Sequence, residues 1–209
     1  MKTFGLVLFF VVSVGLFAQS SPVKQVSRKN ADLDTALLLY GELSGRTLLR
    51  HPSLVGEGFI LKSATTTNRN EILQGIEATL AEKEIVLIPD GKKFILVAPQ
   101  SQRSQLVPRS GKIPDSDKKP YPKGAMMFHN ATITQVMAIY ADLLGKKIDQ
   151  TQSGYLSTNT LITFIMTTEL SKDECLYALD TLIGWRGLKL IPSGNETLKP
   201  VPVSLDPKN

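Results

Sequence analysis

The residues able to do chemistry are few and far apart. His51 precedes a proline in a loop, and His129 stands where an internally related stretch carries Lys29, so both read as surface residues. The chain has a single cysteine, Cys175, which cannot form an internal disulfide. It replaces Ile72 of the related stretch, on the apolar face formed by Leu176, Leu179 and Ile183, and reads as a buried thiol. Asp32 and Asp34 could act as paired general acids or calcium ligands, but the related stretch has Thr132 and Thr134, and helix capping is the simpler account. Gly184-Trp185-Arg186-Gly187 has the spacing of a loop that clamps a nucleotide backbone. That loop joins two helices; here the tetrapeptide joins a helix to a strand, and the related stretch reads Ala81-Glu82-Lys83-Glu84. There is no His-x-x-x-His pair, no Cys pair, no Gly-x-Ser-x-Gly elbow and no phosphate-binding glycine loop. The expectation is a protein that is not an enzyme and holds no metal or cofactor.

The related stretches are two copies of one unit. Asn30, Ala31, Tyr40, Leu43 and Gly45 recur 100 residues later as Asn130, Ala131, Tyr140, Leu143 and Gly145. After a shift of three residues, Thr65, Glu71, Leu73, Leu87, Ile88, Pro89 and Gly91 return as Thr168, Glu174, Leu176, Leu190, Ile191, Pro192 and Gly194. An internal repeat constrains any fold before single elements do.

Each copy carries the same punctuation. The apolar spacing of Leu33, Ala36, Leu37, Tyr40 and Leu43 predicts a helix over Leu33–Ser44, capped by Asp32 and ended by Gly45. Thr132 with Gln135 forms a capping box for its counterpart, which Gly145 ends. A second helix opens at Asn68-x-x-Glu71 and again at Ser171-x-x-Glu174. Short strands are expected at Val23–Arg28, Arg46–Arg50, Phe59–Lys62, Ile85–Ile88 and Phe94–Val97. In the second copy they are expected at Lys146–Asp149, Leu161–Met166, Leu188–Ile191 and Thr197–Val203. Asp90-Gly91 and Ser193-Gly194-Asn195 mark hairpin turns. The reading is α+β, two tandem small sandwich modules of order β-α-β-β-α-β-β.

Residues 99–124 hold five prolines, four serines, six Lys or Arg and two Asp, without apolar periodicity. They read as a flexible basic linker between module 1 at 21–98 and module 2 at 125–203, with a tail at 204–209. The formal charge of +5 is then concentrated in the linker, which argues against nucleic acid as a partner. Met1-Lys2-Thr3 followed by the apolar run Phe4–Ala18 predicts a signal peptide over residues 1–20, cleaved after Ala18 or Ser20, and a mature protein that is soluble and outside the cytoplasm. An uncleaved anchor is the alternative, although the run is short of the roughly 20 residues a spanning helix needs.

The stretches Asn30-Ala-Asp-Leu-Asp-Thr-Ala, Tyr40-x-x-Leu-Ser-Gly-Arg-Thr and His51-Pro-Ser-Leu-Val-Gly-Glu-Gly, with the hairpin Ile85–Gly91 and Phe94–Val97, resemble a known module. It is the N-terminal periplasmic domain of type II secretion secretins, related to the secretin and TonB short N-terminal domain. The second copy resembles it over about residues 125–203 but has Thr151–Thr158 in place of the Pro-x-x-Val-Gly loop. The resemblance implies periplasmic residence in a double-membraned bacterium and contact with other proteins as the activity. It covers no pore domain, so the expectation is an accessory adaptor of a type II secretion, type IV pilus or related secretin system. A TonB-linked signalling module, or a protein that meets anionic membrane through its basic linker, are the alternatives.

The binding surface is expected at the hairpin edges. Phe94, Ile95, Leu96 and Val97 form the last strand of the first module, and Leu198 lies in that of the second, where Pro200 suits an edge. Trp185 is either a partner anchor or a lid over the core. Two such edges on a flexible tether would gain affinity through effective concentration.

Overall fold

A computed structural model describes residues 31–54, 59, 68–113, 119–149 and 161–203. The expected signal peptide at 1–20, the strand expected at Val23–Arg28, most of that at Phe59–Lys62, the loop Thr151–Thr158 and the tail 204–209 lie outside the described residues.

The helices start and stop where their capping residues stand. Helix α1 (Leu33–Ser44) opens with Asp32, whose side chain accepts from the Thr35 N–H at 2.8 Å, and closes at Gly45 with φ of 70°. Helix α3 (Ile133–Leu144) opens with the Thr132–Gln135 capping box and closes at Gly145 with φ of 67°. Helix α4 (Lys172–Gly184) also opens with a capping box, made by Ser171 and Glu174, but its C-cap is Trp185 in right-handed helical conformation. Helix α2 (Arg69–Glu82) departs slightly, because Asn68 accepts from the Asn70 N–H instead of from Glu71. The left-handed residue that follows is Glu84 at φ 54° in the first copy and Gly187 at φ 72° in the second; glycine adopts that conformation without the steric cost a side chain carries.

The strands build an α+β fold. In the first half β1 (Thr47–Arg50), β2 (Ile85–Asp90) and β3 (Phe94–Pro99) form a sheet of order β1-β3-β2, with β1 parallel and β2 antiparallel to β3. In the second half β5 (Lys147–Ile148), β7 (Leu188–Pro192) and β8 (Thr197–Pro202) repeat it as β5-β8-β7. Thr47 stands beside Phe94 as Lys147 stands beside Thr197, so the two sheets share a register. A separate ribbon pairs β4 (Met127–Ala131) with β6 (Ile162–Ile165).

This order corrects the expected edges. The last strand of each hairpin is central, because the strand after the first helix returns parallel alongside it. Phe94, Ile95, Leu96, Val97 and Leu198 are all buried, none more than 3% exposed. A proline at Ile95 would therefore break a ladder and a core, and would report on folding instead of partner binding. Pro200 still has a reason to be there. The Val203 N–H donates to the Gly187 carbonyl and the Ser193 N–H to the Thr197 carbonyl, which sets the alternation of the β7–β8 ladder. By that alternation Pro200 and Pro202 turn their nitrogens away from β7, on the side where β5 has already ended.

Strand β3 feeds two cores. Ile95 and Val97 point into the first, with Leu33, Leu37, Tyr40, Ile76 and Leu80 of α1 and α2. Phe94, Leu96 and Ala98 point the other way, into the second core, where they join Leu49 of β1 and Cys175, Leu179 and Ile183 of α4. The alternation is the two-residue period of a strand. Helix α4 thus lies against its own sheet on one side and against the sheet of the first half on the other.

The segment between the halves is not a free tether in its described part. Residues Gln100–Gln105 and Ser110–Lys112 form short 3-10 helices, and Leu106 is buried in the second core. Tyr121 and Leu170 exchange backbone hydrogen bonds at 2.8 and 3.2 Å, and Lys123 pairs with Glu42 at 2.6 Å. Residues 114–118 lie outside the described residues. The expectation of two units swinging on a flexible linker is corrected accordingly: apolar side chains inside the polar stretch give it somewhere to dock.

Candidate functional site

The polar side chains that the fold draws together lie along the seam between the halves. Asp90, at the end of β2, is fully buried. Its Oδ1 accepts from the Ser110 N–H at 2.8 Å, and its Oδ2 accepts from the Tyr177 hydroxyl of α4. One carboxylate thereby joins the hairpin, the connecting segment and the second half. Burial, and then the hydrogen bond to Asp90, push the Tyr177 phenol well above its ordinary pKa. The Tyr177 ring also meets Phe94 edge-on, with centroids 5.3 Å apart. Gly91 follows at φ of 62°, and a Cβ there would stand 2.3 Å from Ser110 Oγ, so the turn and the connecting segment are in close contact.

A second polar knot sits at the start of β1. Thr47 is fully buried, and its Oγ1 accepts from the N–H groups of Thr167 and Thr168, both at 3.3 Å. Thr167 Oγ1 donates to the Arg46 carbonyl at 2.7 Å. Gly41 of α1 makes room: a Cβ there would lie 2.9 Å from Thr167 Oγ1. Lys93 and Glu174 close the far side at 2.8 Å, and Glu174 also accepts from the Ser171 N–H, so one carboxylate serves both the helix cap and the seam.

Trp185 is half-buried. It packs on the second core and against the His51 ring, with centroids 5.1 Å apart. Of its two expected roles, the lid over the core is the one the structure places, with the first half as part of what it covers. Arg186 donates to the Leu161 carbonyl at 2.9 Å. Burial, then the nearby Arg186 charge, hold His51 below its ordinary pKa of 6.5. Because the folded chain binds this proton less readily than the unfolded one, the contribution to stability is complete above pH 6.5 and is lost progressively as the pH falls below that value through the lower folded-state pKa. Melting temperatures measured from about pH 8 down to about pH 5 should therefore fall more steeply for the wild-type chain than for His51→Gln, and parallel curves would show that His51 plays no part.

The remaining shifted groups are tied up inside the halves. Tyr40 donates to Glu77 at 2.6 Å, and burial and that bond raise its pKa. Burial raises the Cys175 thiol to about 11, so it is protonated and inert at neutral pH. Asp34 pairs with Arg50 and lies 3.8 Å from His129 Nδ1, while Asp32 caps α1. Among the described residues no cluster of three or more His, Cys, Asp or Glu could hold a metal, and no helix is long and apolar enough to cross a membrane. A cavity of about 320 Å³ opens between Leu33, Leu54, Phe59, Lys83, Glu84 and Ile85 of the first half, and Ser53, the hydrogen-bond partner of His51, lies in its wall.

Sequence reasoning took Asp90 for a turn residue and passed over Thr47, Thr167, Tyr177 and Gly41. Two signals pointed to them. Phe94 to Ala98 is apolar without interruption, which marks a strand buried on both faces. The copies also diverge at the seam, where Tyr177 and Trp185 replace Gln74 and Glu82.

Comparison with known proteins found no family model, no curated protein and no solved structure that matches this chain.

Proposed function

We propose that this protein is a non-enzymatic, protein-binding unit of the bacterial cell envelope, an accessory adaptor of a secretion or pilus system. The likeness of its motifs to secretin N-terminal domains supports that setting. The observation that carries the binding reading is a pair of open sheet edges in equivalent places. Among the described residues, strands β2 and β7 each have a neighbour on one side only. By the alternation of their ladders, Ile85 and Leu87 on β2, and Leu188 and Leu190 on β7, turn their N–H and C=O groups outward. None of these groups has a backbone partner among the described residues. Such groups pair with an extended strand from another chain. Pro89 and Pro192 end both edges at the same point and limit how far a strand can run along them.

Because the halves share a core, the two edges are held at fixed spacing. A bivalent partner would then gain by preorganisation instead of by tether length. The membrane-surface alternative has less to draw on, since Lys123 of the basic stretch is already paired with Glu42.

The test is capture of partners from envelope extract by the mature chain, with Leu87→Pro and Leu190→Pro as edge variants checked for native melting. A captured protein that is lost with either variant is the expected result. No captured protein would sink the adaptor reading, and full capture by folded edge variants would move the contact off the edges.

A further inference from the structure

The two sheets share a register but not a neighbour. The outer face of the first sheet lies under α4. Phe94, Leu96 and Ala98 enter the core that holds Cys175, Leu179 and Ile183, and Asp90 and Lys93 at the hairpin turn bond to Tyr177 and Glu174. A helix is therefore what this face of the module accepts. On the second sheet Leu188, Leu190 and Leu198 are buried with α3 and α4, and the strand period sends their neighbours the other way. The residues equivalent to Thr47, Phe94, Leu96 and Ala98 are Lys147, Thr197, Lys199 and Val201, and Lys189 stands for Val86. Thr47, Phe94, Leu96 and Ala98 are each 2% exposed or less. Lys147 and Lys189 are exposed, and Thr197, Lys199 and Val201 only half-buried. The strands of this face thus carry three lysines against one carboxylate, Asp149, which replaces Leu49.

We infer that the outer face of the second sheet binds an acidic amphipathic helix of a protein partner, packed on β5, β8 and β7 as α4 packs on the first sheet. Its carboxylates meet the lysines, and its small or apolar residues cover Ile191, Thr197 and Val201. The inference rests on the protein-binding reading above and adds a surface apart from the strand edges. Opposite charge across a contact speeds encounter and rejects wrong partners. A second copy of this chain fits poorly, because the Lys93–Glu174 pair of the seam would become Glu196 against Glu71. Nucleic acid fits poorly as well. Sheets that hold single strands stack bases on aromatic rings, and this face offers Ile191, Thr197 and Val201 instead. Glu196 also sets a direction. Lys189 stands beside Val201, roughly 16 Å along the sheet from the turn that holds Glu196, so the partner's carboxylates belong at the Lys189 end.

The probe is a fluorescein-labelled amphipathic helix of about 20 residues built from Leu, Ala and Glu, with one twin carrying Gln for Glu and another carrying Lys. Anisotropy is read against the mature chain. Saturable binding of the Glu peptide is expected, with both twins about tenfold weaker or more. Reversing two exposed charges, Lys147→Glu with Lys189→Glu, should weaken the Glu peptide about tenfold or more and leave melting native. Equal binding of the Gln twin, no saturable binding, or undiminished binding to the folded double variant would each overturn the proposal. So would binding of a single-stranded oligonucleotide or of anionic vesicles in place of the Glu peptide, which would give the face to that ligand. Should the double variant fail to fold, Lys189→Gln and the three wild-type titrations decide. An envelope protein captured by the double variant as by wild type, with no binding of the Glu peptide, would sink this face and spare the adaptor reading. Saturable Glu-peptide binding with no captured protein would do the reverse.

Discussion

Replacing Asp90 with alanine should cost about 3 kcal/mol of stability and should weaken both halves of the chain together. The side chain is fully buried, and its removal takes the acceptor from the part-buried Ser110 N–H and Tyr177 hydroxyl. Stranded donors carry the larger part of that cost, because the pair itself gives back much of what desolvation takes. Urea unfolding followed by tryptophan fluorescence and by far-ultraviolet circular dichroism should show one coincident transition in wild type and in variant. Tyr177→Phe should lose less, since Asp90 keeps its bond from Ser110. The double variant should lose less than the two single effects added. Wild-type stability in Asp90→Ala, or two separated transitions in the wild-type chain, would show that the seam does not hold the halves as one body.

Phe94→Ala should be at least as costly, about 3–5 kcal/mol. The ring is 1% exposed, lies between β3 and α4 and meets the Tyr177 ring. Its equivalent in the second copy is Thr197, also beside the parallel strand but only partly buried. Thr197→Ala should cost no more than about 1 kcal/mol, the worth of its hydroxyl's hydrogen bond to the Ser193 carbonyl. The contrast between the two positions is the measurement, because both sit at the same place in the same repeat. Similar losses at both would mean that the outer face of the first sheet is not covered by the second half.

What could be read from the sequence was what each copy decides by itself. Asp32, Thr132, Ser171, Gly45 and Gly145 act through hydrogen bonds within a few residues of their own positions, so the helix ends were legible. The α+β class followed from the same local signals. Strand order was not legible, because Phe94–Val97 pairs with β1 across more than forty residues and nothing local distinguishes a hairpin arm at an edge from one in the middle. The connecting segment was misjudged for a related reason. Its composition is that of a tether, but Leu106 enters the second core and the Ser110 N–H bonds Asp90 of the first-half hairpin, surfaces that exist only in the folded chain. Within the expected site, Trp185 was singled out for its chemistry, but its neighbour His51 comes from the other copy and could only be met in three dimensions.

The seam joins unlike surfaces, a sheet face from the first half and a helix face from the second. A contact of that kind has no two-fold axis, and a unit that kept both surfaces sticky at its free ends would add to itself without limit, as fibres do. Here the outward faces are altered. Helix α2 presents Gln74, Ala78 and Glu82 where α4 presents Tyr177, Thr181 and Trp185, and the second sheet presents Lys189, Thr197 and Lys199 where the first presents Val86, Phe94 and Leu96. Polar ends of this sort are what terminal repeats carry in stacked proteins. Among the described residues, then, the outward faces of α2 and of the second sheet do not repeat the apolar helix-on-sheet match that the seam makes.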